Sequence, residues 1–133
     1  MNQTVRDRLP PDSAVQAEIF ALGDDAVFDM TNLPFSRTGI RGVLFISTAM
    51  GSHGPRVKYF EKAGKDQPSF SVSIADPPRV VASSLPARVL DNMSPDVIAW
   101  VSLNREALLS FWNEGAYWDV DEVRAFVDSL KKI

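Results

Sequence analysis

The chain is 133 residues long, 45% apolar and 23% charged, which describes a globular domain able to bury its own core and excludes collagen, coiled coil and wholesale disorder. It has no cysteine and one histidine, so disulfides, thiolate metal sites, cysteine nucleophiles and sites built on several imidazoles are all excluded. The net charge of -3 is unevenly spread: residues 37–65 hold six bases against Glu61 alone, and the two flanks are each net -4, a basic middle between acidic ends.

Residues 1–13 are polar, contain Pro10-Pro11 and read as a loose N-terminal tail ahead of a single domain over 14–133. No apolar stretch has signal-peptide length, and the longest apolar runs, Gly42 to Ile46 and Val97 to Val101, are far too short to span a bilayer. The expectation is a soluble cytoplasmic protein without a membrane partner.

Ser13 with Gln16 fits a capping box, and Val15, Ile19 and Leu22 share a helical face up to Gly23. The same residues also alternate as a strand would, so 14–22 stays open between the two, with a short helix preferred. Ala26 to Met30 reads as a short extended piece before a loop from Pro34 to Gly39.

Arg41 to Thr48 is rich in Val, Leu, Phe and Ile and follows a Thr-Gly turn signal, which predicts a strand. Met50 to Pro55 is loop chemistry. Arg56 to Glu61 reads as the return strand of a hairpin over 41–61, with Val57 and Tyr59 on one face and Arg56, Lys58 and Phe60 on the other. Gly64 to Pro68 is a further turn. Ser69 to Ala75 is the clearest strand, because Phe70, Val72 and Ile74 alternate with serines that face either water or a partner. Asp76-Pro77-Pro78 bends the chain, and Arg79 to Ala82 resumes as a strand.

The remainder reads as helical. Pro86 to Met93 forms a short helix entered by proline. Ser94-Pro95 has the form of an N-cap followed by a first-turn proline, so a new helix is expected from Pro95 to about Asn113, apolar nearly all round and ended by Gly115. Asp119 with Glu122 is a second capping signature. Val123, Phe126, Val127 and Leu130 then form an amphipathic stripe to Lys131-Lys132, whose charges suit a helix C-terminus. Strands first and helices last predict an α+β fold: an antiparallel sheet of three to five strands with C-terminal helices packed on one face.

Candidate chemistry concentrates in the hairpin. His53, the one imidazole of the chain and so its natural candidate for general acid/base work, lies in a glycine-flanked loop upstream of Arg56 and Lys58. A ribonuclease-like reaction would use it as general acid/base, with the two cations against the developing phosphorane charge; the plainer reading is a loop histidine in water. Arg41, His53, Arg56, Lys58, Tyr59 and Lys62 together read as a binding surface, a basic ribbon that can follow a phosphate backbone while an aromatic ring, Tyr59 or Phe60, stacks on a base. The same bases on a sheet edge also guard against aggregation. No metal site is expected: Asp119, Asp121 and Glu122, like Asp24-Asp25, lack a calcium-loop pattern. No cofactor motif is present, and no serine lies in a nucleophile elbow. Asn104, on an apolar helix, calls for a partner for its amide, in the core or across an interface. Trp118 and Tyr117 either pack under the last helix or mark a homodimer contact.

The order Ser52-His53-Gly54-Pro55-Arg56-Val57-Lys58, then Phe70-Ser71-Val72-Ser73-Ile74, then Ala99-Trp100-Val101-Ser102-Leu103-Asn104-Arg105-Glu106-Ala107-Leu108-Leu109 with Trp112 resembles a family of small bacterial domains of unknown function. Its members read His-x-Pro-Pro-His-Phe-His on a hairpin and Trp-Ile-x-x-His-x-x-x-Leu-Leu-x-x-Trp on a helix, often beside toxin–antitoxin-like partners. The resemblance covers about residues 40–113. It implies this order of elements and a regulatory or partner-binding role. Arg56 and Lys58 stand where that family has further histidines, and Asn104 where it has a helix histidine; His53 alone matches. The expected function is therefore a small regulatory or binding module that meets a protein or an anionic partner, nucleic acid included, through the basic hairpin 41–62, with a ribonuclease-like toxin using His53, Arg56 and Lys58 as the alternative.

Overall fold

A computed structural model describes residues 30–49, 53–64 and 66–133. The expected N-terminal tail and the 14–22 element lie outside them. Five strands, β1 (Met30–Leu33), β2 (Val43–Ser47), β3 (Arg56–Phe60), β4 (Ser69–Ser73) and β5 (Val80–Ser83), form one antiparallel sheet in the order of the chain. Among the described residues four helices accompany it: α1 (Phe35–Thr38), α2 (Ala87–Leu103), α3 (Arg105–Glu114) and α4 (Val120–Ser129), with a 3-10 turn at Gly115–Tyr117 between the last two. The fold is α+β, with the long helices after the sheet.

The period-two pattern decides which face of the sheet is covered. Leu44 and Ile46 of β2, Val57 and Tyr59 of β3, and Phe70 and Val72 of β4 are buried and share one core with Val97, Trp100 and Val101 of α2, Leu108 and Phe111 of α3, and Phe126 of α4. The helices thus lie on that face. Phe111 stacks on Phe126 with ring centroids 4.7 Å apart, and Trp118 is tilted against both rings. Trp118 therefore packs beneath the last helix, while Tyr117 beside it is 88% exposed.

Three local expectations are corrected. Pro34 to Gly39 holds a single helical turn, α1, closed by Gly39 in the left-handed region (φ 79°). Ser94-Pro95 starts nothing: α2 begins at Ala87 and runs through Pro95. An interior proline costs about 3 kcal/mol because it cannot donate to the carbonyl four residues back, here Asp91. Val97, Trp100 and Val101, all at 0% exposure, offset it, since full burial contributes about 1.5–3 kcal/mol for each large apolar side chain. The third correction is the break. The expected helix to Asn113 is divided at Asn104 (φ -111°, ψ 16°), which caps α2 and opens α3.

Asn104 is 4% exposed. Its Nδ2 donates to the carbonyls of Trp100 and Lys131, both at 3.0 Å, and its Oδ1 accepts from the Lys131 amide at 2.8 Å. The partner is internal, as one of the two sequence readings has it. Lys131 and Lys132 lie beyond the end of α4 in a C-terminal strap rather than in its last turn. The strap continues to Ile133, whose amide donates to the Thr38 carbonyl at 3.0 Å. The capping box at α4 is complete: Glu122 N–H donates to Asp119 Oδ1 at 2.8 Å and Asp119 N–H donates to Glu122 Oε1 at 2.9 Å.

Candidate binding face

β3 is the middle strand of the sheet, and its alternation sorts the hairpin's chemistry onto two sides. Val57 and Tyr59 point to the helices. Arg56, Lys58 and Phe60 point to the other face and are half-buried. Register supplies their neighbours: Lys58 pairs with Phe45 on β2 and Ser71 on β4, Arg56 with Ser73, and Phe60 with Val43 and Ser69. Asn32 follows Phe45 on β1 and Ala82 follows Ser71 on β5. The face presents two cations and two aromatic rings among small polar side chains. No carboxylate stands opposite either cation in the described ladder. Among the described elements no helix packs there.

The serines differ in exposure. Ser71, between Lys58 and Ala82, is 3% exposed. Ser73 Oγ accepts from the Arg79 amide at 3.2 Å and fastens the edge strand after the Asp76-Pro77-Pro78 bend. Ser69 and Ser84 exchange backbone and side-chain bonds of 2.8–3.2 Å at the other end of that strand.

The six residues expected to bind do not form one site. Arg56 and Lys58 share the face on which no described helix packs. Tyr59 is buried on the opposite side, where it stacks on Phe70 (centroids 4.9 Å apart) and lines a cleft together with Arg41. His53 is exposed in the loop before β3, and Lys62 is exposed beyond its far end. At about 3.3 Å per residue a five-residue strand separates those two. His53 has no hydrogen-bond partner among the described residues, so none of them fixes its ring as a general base would require. Burial, and then the Glu61 carboxylate, push the Tyr59 hydroxyl above its usual value of 10.0.

Phe45 belongs to this face and was missed, although the alternation of β2 places it opposite Lys58 once the hairpin register is known. Arg88 and Asn92, which reach the Arg41 cleft from α2, have no local signal; helix docking alone brings them there. Among the described residues no three acids or imidazoles converge on a metal site, and no helix is long and apolar enough to cross a membrane. Compared with protein-family models, curated proteins and solved structures, the chain matches none.

Proposed function

We propose that the protein is a binding module that meets an anionic partner through the basic hairpin 41–62, with Arg56 and Lys58 as its principal contacts. The observation that carries this reading is their placement side by side on the face of the central strand where no described helix packs, with Phe45 and Phe60 flanking Lys58 and no acid opposite in the described ladder. Cations that track phosphates beside rings on which bases stack are what single-stranded nucleic acid binders combine. Single-stranded nucleic acid is the partner class the face suits best. An acidic protein surface would use the same cations but leave the rings without a partner. The resemblance of residues 40–113 to a family of partner-binding character points the same way.

Charge reversal tests it. Arg56→Glu/Lys58→Glu abolishes retention of a single-stranded RNA oligonucleotide by the wild-type chain, and the fold persists because both side chains stand on the half-buried face rather than in the core. Equal retention by both proteins would refute the assignment.

A further inference from the structure

On the helix side of the sheet, at the end where β2 begins and β3 finishes, lies a cleft of about 450 Å³ lined by Arg41, Gly42, Tyr59, Glu61, Arg88, Val89, Asn92 and Met93, with Phe35 at its side. The size is that of a small-molecule site, on the order of 300–1,000 Å³. Its polar groups come from three separate elements. Arg41 precedes β2, Tyr59 and Glu61 close β3, and Arg88 and Asn92 stand one turn apart near the start of α2. Gly42 has φ 104°, and a Cβ there would lie 2.9 Å from the Tyr59 hydroxyl and 2.7 Å from the Phe60 carbonyl. A bare glycine thus lets the phenol sit against the backbone at the cleft. Phe35, 59% exposed, offers a ring with no core to fill.

The chemistry of the lining is one-sided. Two guanidinium groups, a carboxamide and a phenol can donate hydrogen bonds; Glu61 is the one carboxylate among the described lining residues. Guanidinium forks match the oxygens of phosphate in pairs, and two cations against one carboxylate leave the described lining net positive, which favours an anion. Val89, Met93 and Phe35 supply apolar surface beside the donors. We propose that this cleft binds a small organic phosphate, a phosphate monoester carrying a flat ring, with Arg41 and Arg88 on the phosphate and Phe35 against the ring. This site is separate from the Arg56 and Lys58 face, which points to the other side of the sheet.

Calorimetric titration of the full chain with phenyl phosphate, inorganic phosphate and benzoate tests the assignment. Phenyl phosphate should bind most tightly, with inorganic phosphate next and benzoate weakest. Arg88→Gln and Arg41→Gln should each weaken phenyl phosphate by about tenfold or more, as loss of a hydrogen bond between charged partners does. Phe35→Ala should weaken phenyl phosphate and leave inorganic phosphate unchanged. Arg56→Glu/Lys58→Glu should leave both unchanged, so failure here and failure of the hairpin assignment are distinguishable. Amide shifts in the wild-type chain give a readout that needs no variant: phenyl phosphate should move Gly42, Arg88 and Asn92. Absence of binding, binding insensitive to Arg41 and Arg88, or shifts confined to Arg56 and Lys58 would overturn the proposal.

Discussion

The side chain of Asn104 pairs with the backbone of Lys131 as a neighbouring strand would, giving one hydrogen bond from Nδ2 to the Lys131 carbonyl and receiving one at Oδ1 from the Lys131 amide. With its third bond, to the Trp100 carbonyl, it ends α2 and holds the C-terminal strap across the helix junction. Asn104→Ala removes all three bonds and strands a carbonyl and an amide. At about 1 kcal/mol net per bond, more where a buried group is left unpaired, the loss is about 2–3 kcal/mol. Urea unfolding should show the lower midpoint, and hydrogen exchange should show the Lys131 amide protected in the wild type and open in the variant.

The strap also explains Gly39. A Cβ there would stand 2.3 Å from the Ile133 carbonyl oxygen, and φ is 79°. Gly39→Ala should therefore destabilise in two separable ways. Removing residues 131–133 relieves the contact but not the backbone strain, which costs about 1–2 kcal/mol for a residue with a Cβ. In the shortened chain Gly39→Ala should cost only that, and a double-mutant cycle on denaturant midpoints should return a positive coupling. A cost equal in both backgrounds would show that the strap does not lie against Gly39.

Pro95 gives a prediction of opposite sign. It is exposed within α2, so its ring contributes little to the core, and its missing donor leaves the Asp91 carbonyl without its helical bond. Pro95→Ala should stabilise the protein by about 1–3 kcal/mol, set by the interior-proline penalty less the entropy proline removes from the unfolded chain. Thermal unfolding measures it directly; a fall in stability would mean that the ring fills space.

The Tyr59 hydroxyl makes stability fall on the alkaline side. Its folded pKa is raised, first by burial and then by Glu61, so the fold holds the proton that the unfolded chain releases near pH 10. Its contribution is fully present below that pH and is lost as pH rises through the raised folded value. Ultraviolet titration should show one tyrosine ionising late. Glu61→Gln should lower that midpoint only in part, because burial is the larger cause.

The hairpin, the serine strand and the capping box were legible because their signals are local: alternation at Val57 and Tyr59, at Phe70 and Val72, and an acidic residue three positions after Asp119. The sidedness of Arg56 and Lys58 followed from the same period. What escaped was set by distance along the chain. Ser94-Pro95 has the form of a helix start, and only the burial of Trp100 and its neighbours carries the helix through it. Asn104 announced a need for a partner, yet the partner lies 27 residues away. Grouping Tyr59 with Lys58 ignored the alternation that separates them, and Arg88 meets Arg41 only after the sheet and α2 dock.

Fluorescence anisotropy of a labelled single-stranded RNA across a salt series, with wild type beside Arg56→Glu/Lys58→Glu and His53→Ala, tests the hairpin assignment most directly. The wild type should bind with an affinity that falls linearly with salt on logarithmic axes, by about 0.7 in slope for each phosphate contacted. The charge-reversed protein should lose both binding and slope, while His53→Ala keeps both and the RNA stays intact throughout. Equal, salt-sensitive binding by the charge-reversed protein, or RNA cleavage that disappears with His53→Ala, would contradict the reading of this face as a binding surface.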